Sequence, residues 1–469
     1  MRKTPDYTET AARIVPSKRQ LEWQDVELSA LVCYGMNTYT DSEWGNGNED
    51  PELFAPTELD CRHWAKLCKL SGFKGLLLTV KHHDGFCLWQ SAYTDHCVRS
   101  SKWKDGKGDV VAECAAACRE FGLKFGIHIS VWDRHEETYG TEAYNTFFKN
   151  QLRELLTAYG DIFCVWFDGE GCDGLWEKYD MEGWIKLVRE LQPNAVTAGC
   201  GCDVRWCGNE AGVCRKSEWS PVPYYYSGLE RSKLSGDPEI SKAPKKINPT
   251  ALDLGSRKAI KGCNKLIWYP AEVNVPLRKG WFYHKDDDYN VKPLSKLMDI
   301  YYHSVGGNAS FLLGIAPMPE GKLHETDIEA LLSIGAQLEI DFNEDLASDS
   351  IVTDNRRLDD EHSGQMALSD YPEKYWHSGN NPDGAELILD LGDEYDIDKI
   401  VLAEHIATGQ QIEEFTLYAQ LGGKWKKLAA ETVIGHKKIC RFNEIRVRYF
   451  KLVIEKARGF ATIEKFEAY

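Results

Sequence analysis

The sequence predicts a (β/α)8-type barrel over residues 1–345 followed by an all-β sandwich over residues 346–469. Three observations carry that reading. Short apolar, β-branched runs alternate with amphipathic helical patterns through the first part, as in a ring of parallel strands covered by helices. Several of these runs stop at carboxylates or histidines, which sets polar groups at strand C-terminal ends. Beyond about Asp345 the spacing tightens to short alternating strands with turn residues between them, the pattern of a sandwich.

A first strand is expected within residues 28–39, ahead of a polar loop at 41–47. Thr57 supplies an N-cap hydroxyl, with Glu58 and Asp60 in the first turn, so a helix runs from there to Gly72. Residues 75–80 form a second strand that ends in Lys81, His82, His83, Asp84 and Gly85. A helix over 109–121 leads to a third strand, 124–131, ending in Trp132 and Asp133. A helix over 141–159 leads to the fourth strand within 162–170. That run is apolar on both faces and stops at Asp168 and Gly169. Residues 195–198, 203–210, 266–272 and 310–315 supply strands five to eight, and a helix over 324–342 closes the barrel. Residues 220–261, rich in Pro, Tyr and Lys, interrupt the rhythm as long loops. In the second part strands are expected at 385–391, 399–403, 415–420, 437–441 and 449–454.

A formal charge of −17 argues against nucleic acid or an anionic membrane as partner, because both reward basic surface. No stretch is long and apolar enough to span a bilayer, and nothing after Met1 resembles a signal peptide, so a cytoplasmic location is expected. Fifteen cysteines, an odd count set inside apolar segments, read as small core hydrophobes of a reducing compartment rather than a disulfide framework. Cys200 and Cys202 have no partner pair at zinc spacing, so no metal is expected. Fifteen tryptophans suit flat apolar ligand faces such as sugar rings, although a large aromatic core uses many of them.

The strand ends and the loops after them deliver Asn37, Glu43, Trp44, His82, His83, His128 and Asp168. A single histidine there is more often a satisfied core group than a ligand. Three histidines and two acids at one edge form a convergent set, and that favours function. Imidazoles donate to and accept from clustered hydroxyls, tryptophan faces stack on sugars, and acids without lysine partners suit general acid–base work. No phosphate-cradling glycine loop or Gly-x-Ser-x-Gly elbow is present. Glycoside hydrolysis needs two carboxyls flanking the scissile bond. Asp168 is the natural nucleophile; Glu210, Glu218 and Glu272 are the candidate acids, Glu218 being most like an ordinary salt-bridging glutamate.

Six stretches together resemble the α-L-fucosidases of glycoside hydrolase family 29. They are residues 34–45 (Tyr-Gly-Met-Asn-Thr-Tyr-Thr-Asp-Ser-Glu-Trp-Gly), 81–86, 126–128, 165–169, 205–210 and 280–284 (Gly-Trp-Phe-Tyr-His). The first and last look more like the subgroup specific for α-1,3/1,4-linked fucose. The resemblance runs from about residue 28 to 342. It implies a retaining mechanism with Asp168 as nucleophile and Glu210, by its position after the nucleophile, as acid/base, with Glu218 as the fallback. It also implies that His82, His83 and His128 hold fucose hydroxyls and that Trp281 lies against the C5-methyl face. Glu43 and Trp44 would then sit near the sugar or the branched aglycone. Two positions depart from the family pattern: Cys33 stands where a histidine is usual, and Gly314 where asparagine is more common.

The expected function is a retaining exo-α-L-fucosidase, without cofactor, acting on Lewis-type or related fucosylated oligosaccharides or glycoconjugates. A hydrolase of a related sugar such as α-galactose would need a pocket near Trp281 that admits a hydroxymethyl group. A catalytically silent glycan-binding protein would bind fucosides without turnover, and intact Asp168 and Glu210 argue against it. Residues 374–378 and 385–392 resemble a discoidin or coagulation-factor-type (F5/8 type C) sandwich, which implies either glycan binding or a module that buttresses the barrel.

Overall fold

The computed structural model describes residues 7–169, 178–224, 253–263 and 265–469, so most of the expected loop region at 220–261 lies outside it. Eight parallel strands make the barrel: β1 (Leu28–Val32), β2 (Gly75–Lys81), β3 (Lys124–Ser130), β4 (Cys164–Asp168), β5 (Val196–Gly199), β6 (Arg205–Trp206), β7 (Ala271–Pro276) and β8 (Ala309–Ile315). They pair in the order β5-β4-β3-β2-β1-β8-β7-β6, a nearly closed ring whose opening falls between β5 and β6.

Side chains alternate across these strands with period two. Leu31, Cys33, Leu77, Cys164, Trp166, Val196, Ala198 and Leu312 form one cluster. Ala30, Val32, Leu76, Leu78, Val165, Phe167, Phe311 and Leu313 belong to another, packed with the helices. The first cluster fills the barrel and the second glues the barrel to its helices. The helix Cys61–Leu70 starts at Asp60, whose carboxylate accepts from the amides of Arg62 and His63. Asp60 rather than Thr57 is therefore the cap. Asp109 caps Val110–Phe121 by accepting from Ala112 N, and Gly122, at φ 66°, ends it in the left-handed region that glycine tolerates best.

Two expected strands are redrawn. The first ends at Val32, and Met36–Thr40 turns into a short helix that brings Asn37 under the following loop. The seventh was placed at 266–272, but Leu266–Trp268 pairs antiparallel with Pro221–Pro223, and the barrel strand begins at Ala271. Pro270, which lacks an N–H for a ladder, separates the two. Strand six is only two residues long.

In the second part Ala385–Ala403 and Lys438–Ala457 run antiparallel as the central pair of a sheet. Register slips between Asp390 and Tyr395 and between Ile397 and Lys399 bend the pair. One long strand thus covers what the sequence shows as two short runs on each side. Burial alternates strictly over Ala385–Leu391, and Leu387, Leu389, Phe415, Leu417, Phe450, Leu452 and Trp376 share one core.

Pairing between β2 and β3 also slips by one residue between Thr79 and Lys81. This turns Lys81 away from the barrel interior. Its Nζ, fully buried, lies 2.7 Å from Asp133 Oδ2 and donates to Gln151 Oε1 at 2.9 Å on the helix Glu142–Ala158. Burial alone would raise the Asp133 carboxyl, but Lys81 outweighs it and holds the group below its usual range. The pair ties the end of β2, where His82 and His83 leave the sheet, to the segment after β3. Lys81→Met should therefore cost about 3–5 kcal/mol by stranding a buried carboxylate. Denaturant unfolding reads this directly, and a loss under about 1 kcal/mol would contradict the role given to the pair.

Candidate active site

Asp168 ends β4 directly opposite Ser130 of β3, and Trp166 lies opposite His128. The period-two pleat therefore stacks Cys164, Trp166 and Asp168 toward the barrel axis, beside Gly126, His128 and Ser130. Asp168 reaches the rim with its side chain 19% exposed. Its Oδ2 lies 3.4 Å from His128 Nε2 and 3.8 Å from His83 Nε2. Burial pushes this carboxyl up, but the hydrogen bond from His128 and the nearby His83 and His82 prevail and hold it far below its ordinary value.

The histidine tautomers follow from their partners. Ser130 Oγ donates to Trp132 O at 2.7 Å, so at 2.6 Å it must accept from His83 Nδ1. That leaves His83 Nε2 directed at the pocket beside Asp168 Oδ2. His128 Nδ1 is buried without a partner, so its proton belongs on Nε2, toward Asp168. Burial drives His82 and His83 below the usual histidine range, while the Asp168 carboxylate pulls both back up. The ligand atoms of His82, His83 and Asp168 lie within 4.8 Å of one another, a spacing that serves a divalent ion as well as neighbouring hydroxyls.

Each ring is held from behind. The His128 ring stacks on Trp166 at 5.1 Å, and Trp166 Nε1 donates to Glu272 Oε1 at 2.7 Å. His82 meets the edge of Phe282 at 4.9 Å, and His83 touches both Trp132 and Trp44. Glu43 uses both carboxylate oxygens on the loop after β7: Oε2 accepts from Trp281 N at 3.0 Å and Oε1 from Phe282 N at 3.3 Å. His284 sits between Glu43 Oε1 and Asp41 Oδ1 at 2.7 Å each. Burial works to lower this imidazole, yet the two carboxylates raise it above its ordinary value. Sequence reasoning named Glu43 but not His284, whose only signal was its place at the end of the 280–284 motif.

The remaining candidates take different positions. Asn37 is fully buried and its amide donates to Glu43 O at 3.0 Å, so it staples the loop from within. Trp44 is half exposed at the rim. Trp281 lies on Gly314, where a Cβ would come within 2.7 Å of its ring. The glycine at that position is thus what lets the indole settle on β8. Cys33 is buried, and its thiol is pushed up by burial first, then by Glu43, with Asp168 and Glu210 adding. Glu210 is exposed, on the loop after β6.

Glu218 and Glu272 are elsewhere. Glu218 is fully buried, paired with the Arg205 guanidinium, and accepts from Arg215 N at 3.2 Å. It has no path to a sugar. Glu272 starts β7, deep in the barrel beneath Trp166, where burial raises its carboxyl to about 7. It braces the site from below. The fourteen described cysteines are all free thiols, and no helix among the described residues is long and apolar enough to cross a membrane.

Comparison with known proteins adds a second line of observation. The α-L-fucosidase family model matches residues 15–342, and the F5/8 type C domain model matches residues 347–466. The chain is 38% identical over 453 residues to α-L-fucosidase 1 of Arabidopsis thaliana, covering 95% of this chain and 85% of that protein. Among solved structures it is similar to a glycoside hydrolase 29 fucosidase of Ruminococcus gnavus in complex with fucose, at 28% identity and TM-score 0.82, covering 97% of this chain and 95% of that one. It is also similar to SpGH29, at 32% identity and TM-score 0.86, covering 97% and 98%.

Two outcomes follow from the geometry. With its folded value near 7 against an ordinary 4.5, Glu272 keeps a proton that the unfolded chain releases between those values. Its contribution is therefore lost as pH rises through that window. Glu272→Gln should stabilise the fold at pH 8 but little at pH 4, as read by thermal unfolding at the two pH values; an equal shift at both would contradict a buried neutral acid. Gly314→Asn should displace Trp281 and raise KM for a fucoside by about tenfold with a smaller change in kcat, because it removes ground-state contacts. An unchanged KM would show that the indole does not need this glycine.

Proposed function

The chain belongs to the α-L-fucosidase family of glycoside hydrolases, and we propose that it removes terminal α-1,3/1,4-linked fucose from Lewis-type oligosaccharides by double displacement. In the first step the Asp168 carboxylate attacks C1 of fucose while the Glu210 carboxylic acid protonates the departing glycosidic oxygen. The C1–O bond breaks and a fucosyl ester of Asp168 forms. In the second step the Glu210 carboxylate takes a proton from water, whose oxygen attacks C1 and displaces Asp168, leaving fucose in its original configuration.

The observation that carries this reading is the carboxylate of Asp168, kept ionised among three imidazoles at the open end of a strand. A nucleophile must be unprotonated at working pH, and it must have hydroxyl-binding groups around it to hold the sugar. His83, with Nε2 directed at the pocket, and His82 supply these; His128 fixes the attacking oxygen. Glu210 suits the acid/base role because it is exposed on the loop after β6, whereas Glu218 and Glu272 are buried. The linkage preference rests on Trp44 and the Glu43–Trp281 clasp, which wall the rim on the side where a branched aglycone would lie.

Asp168→Ala should cut hydrolysis roughly a thousandfold or more with the fold retained, as removal of a covalent nucleophile does. Added azide should then yield β-L-fucosyl azide, whereas Glu210→Ala with azide should yield the α anomer. An active Asp168→Ala enzyme would overturn the assignment. Fucose release from a Lewis-type trisaccharide, α-1,2-fucosyllactose and an aryl fucoside tests the linkage. Cleavage of the branched substrate but not the α-1,2 isomer supports the preference, and equal cleavage removes it. Faster hydrolysis of an aryl α-galactoside would favour the rival sugar, and binding of fucosides without turnover would favour a lectin-like role.

A further inference from the structure

We propose that the β-sandwich is part of the catalytic apparatus of the barrel: Gln410, together with Thr432, positions the loop that carries Glu210. The proposal rests on the reading of Glu210 as the acid/base.

The loop after β6 has an unusually short root. Its strand is only Arg205–Trp206, paired with β7 at Ala271 and Glu272, and Cys207 N donates to Glu272 O at 2.9 Å. Within the loop, Asn209 acts as an internal brace. Its Oδ1 accepts from Ala211 N at 3.1 Å and Val213 N at 3.2 Å, and its Nδ2 donates to Val213 O at 2.7 Å. Glu210 sits inside that brace, so its placement follows that of the loop around it.

The second end, Ser217 to Ser220, is fixed largely by the sandwich. Gln410 is fully buried and spends both amide atoms there: its Oε1 accepts from Ser220 N at 2.8 Å, and its Nε2 donates to Glu218 O at 3.3 Å. Thr432 Oγ1 and Ser217 Oγ are 2.7 Å apart. Trp219 lies under the Arg458 guanidinium, 3.8 Å from its ring centroid, and shares an apolar cluster with Val433. From the barrel side Asn308 Nδ2 donates to Glu218 O at 2.8 Å, while Asn308 Oδ1 accepts from His436 N of the sandwich at 2.7 Å. The Glu218 carboxylate closes the circuit back to Arg205 at the root. A cleft of about 450 Å³ lies between Cys214, Arg215 and Lys216 of the loop and Glu431 and Lys438 of the sandwich. The middle of the loop rests instead on the barrel helix Leu294–Ser304, where Cys214 Sγ donates to His303 O at 2.7 Å and Gly212 lies against Ile300, so the sandwich acts on the loop through its second end.

Gln410 lies two residues before the strand Ile412–Leu421 and Thr432 directly follows the strand Lys424–Glu431, so both extend from paired backbone. A general acid must be within hydrogen-bond reach of the leaving oxygen, and small misplacements far from the chemistry cost large factors in rate. The sandwich supplies that precision across the domain boundary.

The distinguishing readout is the dependence on leaving group. A sugar alcohol leaves only when protonated, whereas an activated nitrophenolate leaves without help. Gln410→Ala should lower kcat/KM on a Lewis-type trisaccharide by about tenfold or more while that on a dinitrophenyl fucoside stays within about twofold. Thr432→Val should shift the ratio in the same direction by a smaller factor, and it carries the comparison if Gln410→Ala does not fold. Equal losses on both substrates, or no loss on either, would overturn the proposal. Glu210→Ala measured alongside provides the reference: absence of the split there would remove the acid/base assignment itself, whereas a split there without one in Gln410→Ala would remove only the sandwich's role.

Discussion

A carboxylate placed at the end of an apolar strand is the constraint on which the open end of this barrel depends. β4 runs Cys-Val-Trp-Phe-Asp, and burial alone would protonate its last residue. The imidazole of His128 and the neighbouring His83 and His82 reverse that. Each imidazole in turn needs a fixed tautomer and a fixed plane. Ser130 sets the tautomer of His83, Trp166 sets the plane of His128, and Phe282 backs His82. Glu272 holds Trp166 from the barrel floor, and Glu43 holds the Phe282 backbone from the rim. The site is thus one connected set of contacts from floor to mouth, in which Asp168 stays ionised and partly uncovered.

The barrel alone does not complete this arrangement. Its ring is open between β5 and β6, and β6 is the shortest strand of the ring. The loop leaving it leans on the helix Leu294–Ser304 in its middle and on the buried Arg205–Glu218 pair and the sandwich residues at its second end. Isolated buried ion pairs contribute little net stability, but they fix geometry when removal of one partner would strand the other. Arg205–Glu218 and Lys81–Asp133 both act in this way, one at each side of the mouth.

Much of this was legible in the sequence because a parallel barrel writes a strong pattern. Strands buried on both faces read as continuous apolar runs, and their C-terminal ends share one rim. Asp168, His82, His83 and His128 stand out on that ground alone. What escaped depends on tertiary partners far along the chain. Glu210 and Glu218 lie in one polar segment and look alike until Arg205 claims the second. Asn37 reads as a ligand, yet it is buried under its own loop, and the grip of Glu43 on the backbone of residues 281–282 joins segments far apart in the chain. The seventh strand falls at 271–276 rather than 266–272 because Leu266–Trp268 and Ala271–Pro276 follow each other closely and only Pro270 marks the break. In the sandwich, bulges join pairs of short runs into single long strands, and alternation cannot register a bulge.

The central claim is that Asp168 and Glu210 act in turn on opposite sides of one covalent intermediate. The most direct measurement is the anomeric configuration of the first fucose released, followed by proton NMR before mutarotation scrambles it. Two successive inversions at C1 predict that α-L-fucose forms first and then drifts toward the equilibrium mixture. First formation of β-L-fucose would mean a single displacement by water, and it would contradict the role given to Asp168.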